Sequence, residues 1–323
     1  MWYYVCMIAE DFPQTLPAFV SAFGTDEQCR EYLIKQKWPN GFVCPKCGHG
    51  KPWQLHNRDI WVCAKCEHHT SLIADTCCHG SRKPLVQWFL AMYLMATSKR
   101  GLSARELQRH LRCSYQTAWS MLHKLRSCMV DPNREPLKGE VEIDESYIGG
   151  PEEGLRGRGS AGKTIMICAA EKVGGTMGRI RLGIIEQASQ EKITAFLNGR
   201  VELGATAHTD GWRGYNSLER SGFWHIATSV KASEAKAHTI LPHVHLVFSL
   251  VKRWILGTHQ GSISTKHLRA YLEEFTFRFN RRRAKNITHF FQRLAEGLVR
   301  EKCQPYWKIV GRVAPDQPLR MAA

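Results

Sequence analysis

Apolar positions change their spacing along the chain, and each change marks a different kind of element. "TDEQCREYLIKQKW" has helical spacing behind Thr25, a residue type that caps helix N-termini. Trp88 to Ala96 is an apolar run of nine residues. A bilayer span needs roughly 18 or more, so this run predicts a core helix. In "SARELQRHLRCSYQTAWSMLHKLR", Ser103 with Glu106 forms a capping-box pattern, and Leu107 and Leu111 fall on one face behind it. Ser114 caps a second helix with an apolar stripe of Ala118, Met121, Leu122 and Leu125. Two helices joined at Arg112 and Cys113 predict a helix-turn-helix, although a plain helical hairpin has the same pattern. Pro132 and Pro136 in "DPNREPLKGE" then interrupt any helix and mark a linker.

Beyond the linker the period drops to two. "EVEIDESYI", "TIMICAA" and "RIRLGII" read as strands, with Val141 and Ile143 on one face of the first and Glu142 and Asp144 on the other. A helix capped by Ser189 follows, then the strand "ATAHTD", a turn and helix, the strand "FWHIATS", and two closing helices, "HVHLVFSLVKRWIL" and "STKHLRAYLEEFTFRFNRRR". The chain is therefore α/β. Three strands, a helix and a fourth strand match a ribonuclease H-like mixed sheet flanked by helices, in which the first and fourth strands lie side by side. That order brings Asp144, on the first strand, to Asp210, at the end of the fourth. The loop "GGPEEGLRGRGSAGK" between the first two strands is rich in Gly and Arg.

Charge narrows the partner. Lys and Arg number 45 against 29 Asp and Glu, a formal net charge of +16, which favours nucleic acid or an anionic membrane surface. With no spanning segment, and no basic n-region or cleavage site in "MWYYVCMIAEDFP", the expected location is the cytoplasm. Of the 12 cysteines, Cys44 and Cys47 form one Cys-x-x-Cys doublet and Cys63 and Cys66 another, 15 residues further on. Four thiolates in that spacing predict a closed, tetrahedral, structural zinc site.

Asp144 and Asp210 are the candidate chemistry. A lone Asp at a strand end most often caps a turn. Two carboxylates held together instead repel unless cations sit between them, and paired magnesium or manganese ions are the usual answer in phosphoryl transfer.

The motifs "GFVCPKCG", "WFLAMYLMATSKRGLSARELQRHL", "SYQTAWSMLHKLR", "VEIDESYIGG", "HTDGWRGY" and "KRWILGTHQGSISTKHLRAYLEEFTFRFNRR" together resemble the bacterial transposases of the insertion sequence 1595 family, over about residues 20 to 285. The resemblance implies a zinc ribbon and a ribonuclease H-like domain whose active site is Asp, Asp, then Glu, Asn or His, followed by Lys. Asp144 and Asp210 match the aspartates and Lys252 the lysine.

The third position, taken two residues before the lysine, falls on Leu250, which cannot bind a metal. No Asp or Glu occurs between Glu234 and Glu273 to replace it, while His245, Ser249 and Lys252 share one helical face. His245 and Ser249 are thus accessory candidates, as is Glu145 beside Asp144.

The implied activity is metal-dependent strand cleavage and strand transfer at terminal inverted repeats, by a homo-oligomer on double-stranded and target DNA in the bacterial nucleoid. A DNA-binding relic acting as regulator and a metal-dependent nuclease use the same motifs. Phosphate and base contacts are expected from Arg105, Arg109, Arg112, Tyr115, Gln116 and Lys124, and from Arg281, Arg282 and Arg283. The expected organisation is an N-terminal helical segment (1–38), a zinc ribbon (39–76), the helix-turn-helix region (82–130), the ribonuclease H-like domain (138–285) and a tail (286–323).

Overall fold

A computed structural model describes residues 13–55, 59–149, 164–228, 237–261, 263–284 and 288–312. Most of the Gly- and Arg-rich loop, residues 150–163, lies outside them. The chain forms two compact units, residues 132–283 and the combination of 1–131 with 284–323. Among the described residues no helix is long and apolar enough to cross a membrane.

The first unit opens with α1 (Leu16–Phe23) and α2 (Asp26–Lys37). α1 was absent from the sequence reading. Thr15 caps it and proline stands in its first turn, where a missing N–H costs nothing. α2 starts where expected: the Thr25 hydroxyl accepts from Gln28 N, and Gln28 Oε1 accepts from Thr25 N, a full capping box. β1 (Pro52–Leu55), β2 (Ile60–Cys63) and β3 (His69–Ser71) make a small antiparallel sheet. Next come α3 (Leu85–Thr97), which is the expected core helix, α4 (Ala104–Leu111) and α5 (Tyr115–Cys128).

The supposed tail is a correction. Residues Thr288–Arg300 form α10, with α11 (Tyr306–Ile309) after it. Phe290, Phe291, Leu294, Ala295 and Leu298 of α10 are buried. The ring of Phe291 lies within about 6 Å of those of Phe19, Phe23, Tyr32 and Phe89. The apolar spacing of "FFQRLAEGL" is plain in the sequence, but its aromatic partners Phe19, Phe23, Tyr32 and Phe89 lie far upstream, in the first third of the chain. Gly297 lets α10 reach α5, since a Cβ there would sit 2.2 Å from the Cys128 carbonyl oxygen. Gly297→Ala is expected to destabilise this unit by about 1–3 kcal/mol in urea unfolding, against the small gain an alanine brings to an open helix.

The second unit holds a five-stranded sheet built from β4 (Glu140–Ile148), β5 (Thr164–Val173), β6 (Thr176–Ile185), β7 (Thr206–Thr209) and β8 (Trp224–Ala227), in the order β6-β5-β4-β7-β8. β4–β5 and β5–β6 are antiparallel, while β4–β7 and β7–β8 are parallel. This is the ribonuclease H-like arrangement, first strand beside fourth. α6 (Gln190–Leu197) packs on one face, where Ile193, Phe196 and Leu197 meet Val141, Ile143, Ile167 and Ala169. α7 (Ala237–Ile240) leads into α8 (Pro242–His259), and α9 (Thr265–Asn280) follows it. α8 and α9 cover the other face, where Val244, Val247, Phe248 and Val251 meet Met166, Cys168 and Ala170. Each such apolar side chain contributes roughly 1.5–3 kcal/mol of burial, which is what holds α8 on the sheet.

Candidate functional site

Strand parity sets the site. Val141 and Ile143 point into the α6 core, so Glu142 and Asp144 point towards α8, and both are buried. β4 and β7 run parallel with Glu142 opposite His208, and continuing that register sets Asp144 opposite Asp210, one residue beyond β7. Gly211, at φ +77, turns the chain away immediately afterwards.

Each aspartate uses one oxygen locally. Asp144 Oδ1 accepts from Glu145 N at 2.8 Å within β4, and Asp210 Oδ1 accepts from Trp212 N at 2.9 Å, so Asp210 also plays the turn-capping role expected of a lone strand-end Asp. The buried Tyr215 phenol records how close the acids are. Burial raises its pKa well above the tyrosine norm, and the charges of Glu145, Asp144 and Asp210 raise it further. Its hydroxyl donates to Glu145 Oε2. Glu145 follows the parity of Val141 and Ile143, so its side chain leaves the strand on the face opposite Asp144.

α8 brings the remaining groups. His245 Nε2 lies 3.5 Å from Asp144 Oδ2. Lys252, seven residues on, donates from Nζ to Ser146 Oγ at 2.8 Å, and desolvation pulls its pKa below the ordinary lysine value. Leu250 is partly buried against the α8 core, while Ser249 is exposed. The helix therefore turns His245 and Lys252, and not position 250, to β4. Two residues before His245, His243 meets the buried Glu142, with Nδ1 and Oε1 2.6 Å apart.

In the first unit the four cysteines converge, with Sγ atoms of Cys44, Cys47, Cys63 and Cys66 all within 4.8 Å of one another. Cys44 lies 3.6 Å from Cys66, and Cys47 lies 3.5 Å from Cys63. A tetrahedral zinc with Zn–S bonds of about 2.3 Å sets its sulfurs about 3.8 Å apart, so the cluster fits that ion. The two doublets share a backbone design. Gly48 N donates to Cys44 O and Glu67 N to Cys63 O, and both residues take positive φ, +73 and +55. Cys44 N then donates to His49 O and Cys63 N to His68 O.

Residues 136–280 match the ISXO2-like transposase domain and residues 24–69 match the transposase zinc-ribbon domain, together more than half of the chain. The chain belongs to the insertion sequence 1595 transposase family. A protein of Halobacterium salinarum described as an uncharacterized protein in transposable element ISH50 is 24% identical over 283 residues, which span 80% of this chain and 92% of that protein.

In this family member the two helices α4 and α5 lie where the sequence put them. Ser103 and Ser114 cap α4 and α5 through Glu106 N and Thr117 N, and Arg112 closes α4 in the left-handed conformation at φ +46. Arg105, Arg109, Arg112, Tyr115 and Gln116 are exposed, with the Arg105 guanidinium 5.1 Å from the centre of the Tyr115 ring. Lys124 is half-buried, 6.0 Å from the centre of a Trp88 ring. Gln116 and Lys124 border a cavity of about 430 Å³ that Arg82 and Lys83 also line. Sequence reasoning missed that basic pair, whose only signal is adjacency before Pro84.

The arginines after α9 are differently used. Arg282 donates to the carbonyls of Met177, Gly178 and Phe279, fastening the end of α9 to the start of β6, and it stacks 4.0 Å over Phe279. Arg281 lies 3.7 Å over Phe277, and Arg283 reaches Thr176 Oγ1 at 3.4 Å. Their guanidinium groups make internal contacts that a basic run in a sequence does not reveal.

Proposed function

We propose that this protein is a DNA transposase that cleaves its insertion sequence at the terminal inverted repeats and joins the freed 3′-hydroxyl ends to target DNA. The observation that carries this is the convergence of Asp144, His245 and Lys252 on one strand-helix junction beside Asp210. Asp144 and Asp210 offer hard oxygen donors to magnesium or manganese, and His245 adds one imidazole nitrogen. Histidine is among the residue types the family resemblance implies for the third position, so His245 takes that place and Leu250 does not.

Bound divalent ions would supply an activated water or 3′-hydroxyl and neutralise charge on the leaving oxygen. Asp144, midway along β4, and Asp210, just past the end of β7, would hold those ions against the reacting phosphate. Lys252 adds a point charge for a phosphate oxygen, steadied by Ser146. Glu145, bonded to Tyr215, supports the middle of β4 from the other face.

End recognition falls to the exposed face of α4 and α5, through Arg105, Arg109, Arg112, Tyr115 and Gln116, with Lys124, Arg82 and Lys83 taking backbone phosphates. Arg283, which is exposed and makes one long side-chain contact to Thr176, adds a further phosphate contact. Transposition requires both ends in one complex, so the working form is a homo-oligomer on DNA, in the compartment that holds the chromosome.

Strand-transfer assays with end DNA and magnesium test this reading. Joined products are expected. Cleavage without joining makes the protein a nuclease, and end binding with neither makes it a regulator. Within that assay His245→Ala is expected to lower joining by on the order of 100-fold, while Leu250→Asn changes it by no more than about twofold. A large gain from Leu250→Asn would return the third position to residue 250.

A further inference from the structure

α8 begins without a cap of its own. Its N-cap residue is Leu241, no side chain of which can accept a hydrogen bond, and Pro242 is its first helical residue. The next N–H groups are satisfied from the sheet: Glu142 Oε2 accepts from His243 N at 2.8 Å and from Val244 N at 3.1 Å. Oε1 of the same carboxylate meets His243 Nδ1 at 2.6 Å, so Nδ1 carries the proton in that contact. Glu142 is only 2% exposed. Both of its oxygens are engaged by protein donors, which leaves it a poor metal ligand despite sharing a face with Asp144.

Burying a carboxylate is costly unless it is paired and hydrogen-bonded. A Ser or Asp at the N-cap would stabilise α8 locally with far less desolvation. The charge is instead on β4, two residues before Asp144, and its partner His243 is two residues before His245. The contacts run as a ladder between strand and helix: Glu142 to His243, Asp144 to His245, Ser146 to Lys252. Packing of Val244, Val247, Phe248 and Val251 selects the face of α8 that meets the sheet, but apolar contacts fix its rotation less sharply than directional bonds do. The Glu142 clamp supplies three bonds of defined direction at the end nearest the site.

We propose that Glu142 and His243 are positioning residues, which lock the first turn of α8 so that His245 and Lys252 face Asp144. This rests on the active-site reading given above.

The test uses the full chain with Glu142→Gln, His243→Ala and His243→Asn. Glu142→Gln and His243→Ala are expected to slow cleavage at saturating end DNA by about 10–100-fold and to weaken Mn²⁺ binding, read by water-proton relaxation, by about tenfold. End-DNA affinity should stay within about twofold, because that surface is elsewhere. His243→Asn, whose amide N–H replaces Nδ1–H, should recover most of the rate. Val247→Ala serves as the structural control, since it loosens α8 without touching the clamp. If it slows cleavage as much at equal loss of thermal stability, the positioning role is overturned. In a His245→Ala, Lys252→Ala background Glu142→Gln should cost little more, and full additivity would also overturn it. A wild type that cleaves and a Glu142→Gln that matches it refute the clamp alone. A wild type that neither binds Mn²⁺ nor cleaves refutes the active-site reading, and the clamp with it.

Discussion

Asp144→Ala and Asp210→Ala are each expected to abolish cleavage and joining, with rates falling on the order of a thousandfold or more, while binding of terminal-repeat DNA is retained. Metal-borne charge stabilisation is worth several kcal/mol in phosphoryl transfer, and about 4 kcal/mol corresponds to that loss in rate. The arrangement also predicts the direction of the stability change. Asp144, Asp210 and Glu145 all act on the buried Tyr215 phenol, so negative charge is concentrated there. Removing one acid relieves repulsion, and the variants should melt no lower than wild type without added metal. The phenol should titrate at lower pH in Asp144→Ala, since one of the charges that raises it is gone; ultraviolet difference spectra at alkaline pH read this. Asp144→Asn keeps the shape and isolates the charge. Joining that survives in either alanine variant would remove the aspartates from the reaction.

Loss of zinc should have the largest effect on folding. Structural zinc contributes roughly 10–16 kcal/mol of apparent binding energy in small modules, more than the three short strands β1, β2 and β3 can supply through their own core. Cys63 is the most exacting position, being fully buried and at the end of β2, with its Sγ accepting from Lys65 N at 3.4 Å. Cys63→Ser is expected to lose the ion and unfold the segment from Cys44 to Ser71. Elemental analysis should give one zinc per wild-type chain and none in the variant. Limited proteolysis should then cut within that segment, and a strong chelator should reproduce the pattern in wild type. A Cys63→Ser chain that keeps zinc, or loses it and stays protected, would refute the structural role.

What could be read early was what depends on near neighbours. The Cys doublets, the Ser103 and Ser114 caps, the joint at Arg112, and the alternation that separates Val141 and Ile143 from Glu142 and Asp144 are all local. Each is set by a backbone geometry spanning a few residues, so the residue types announce it. Strand order was legible because few topologies satisfy that succession of elements.

What the sequence left illegible depends on distant partners. Residue 250 was chosen by counting along the chain, yet which part of α8 faces Asp144 depends on the rotation of a helix about its axis, decided by packing on Met166, Cys168 and Ala170 and by the bonds to Glu142. Glu142 itself showed only as an acid on the Asp144 face of its strand, because its partner is 101 residues away. Arg282 looked like a DNA grip because the carbonyls of Met177 and Gly178 that receive it are more than 100 residues upstream. The stretch after residue 286 looked like a tail because its aromatic partners lie near the other end of the chain.

The sequence by itself determined the convergence of the ribbon's four cysteines, the placement of Asp144 opposite Asp210 and the kind of sheet that carries them, since these rest on covalent spacing and strand parity. Only the tertiary structure decided that His245 rather than Leu250 meets Asp144, and that Glu142 caps the helix which brings it there, because directional contacts between a strand and a helix far apart in sequence leave no periodic trace in either.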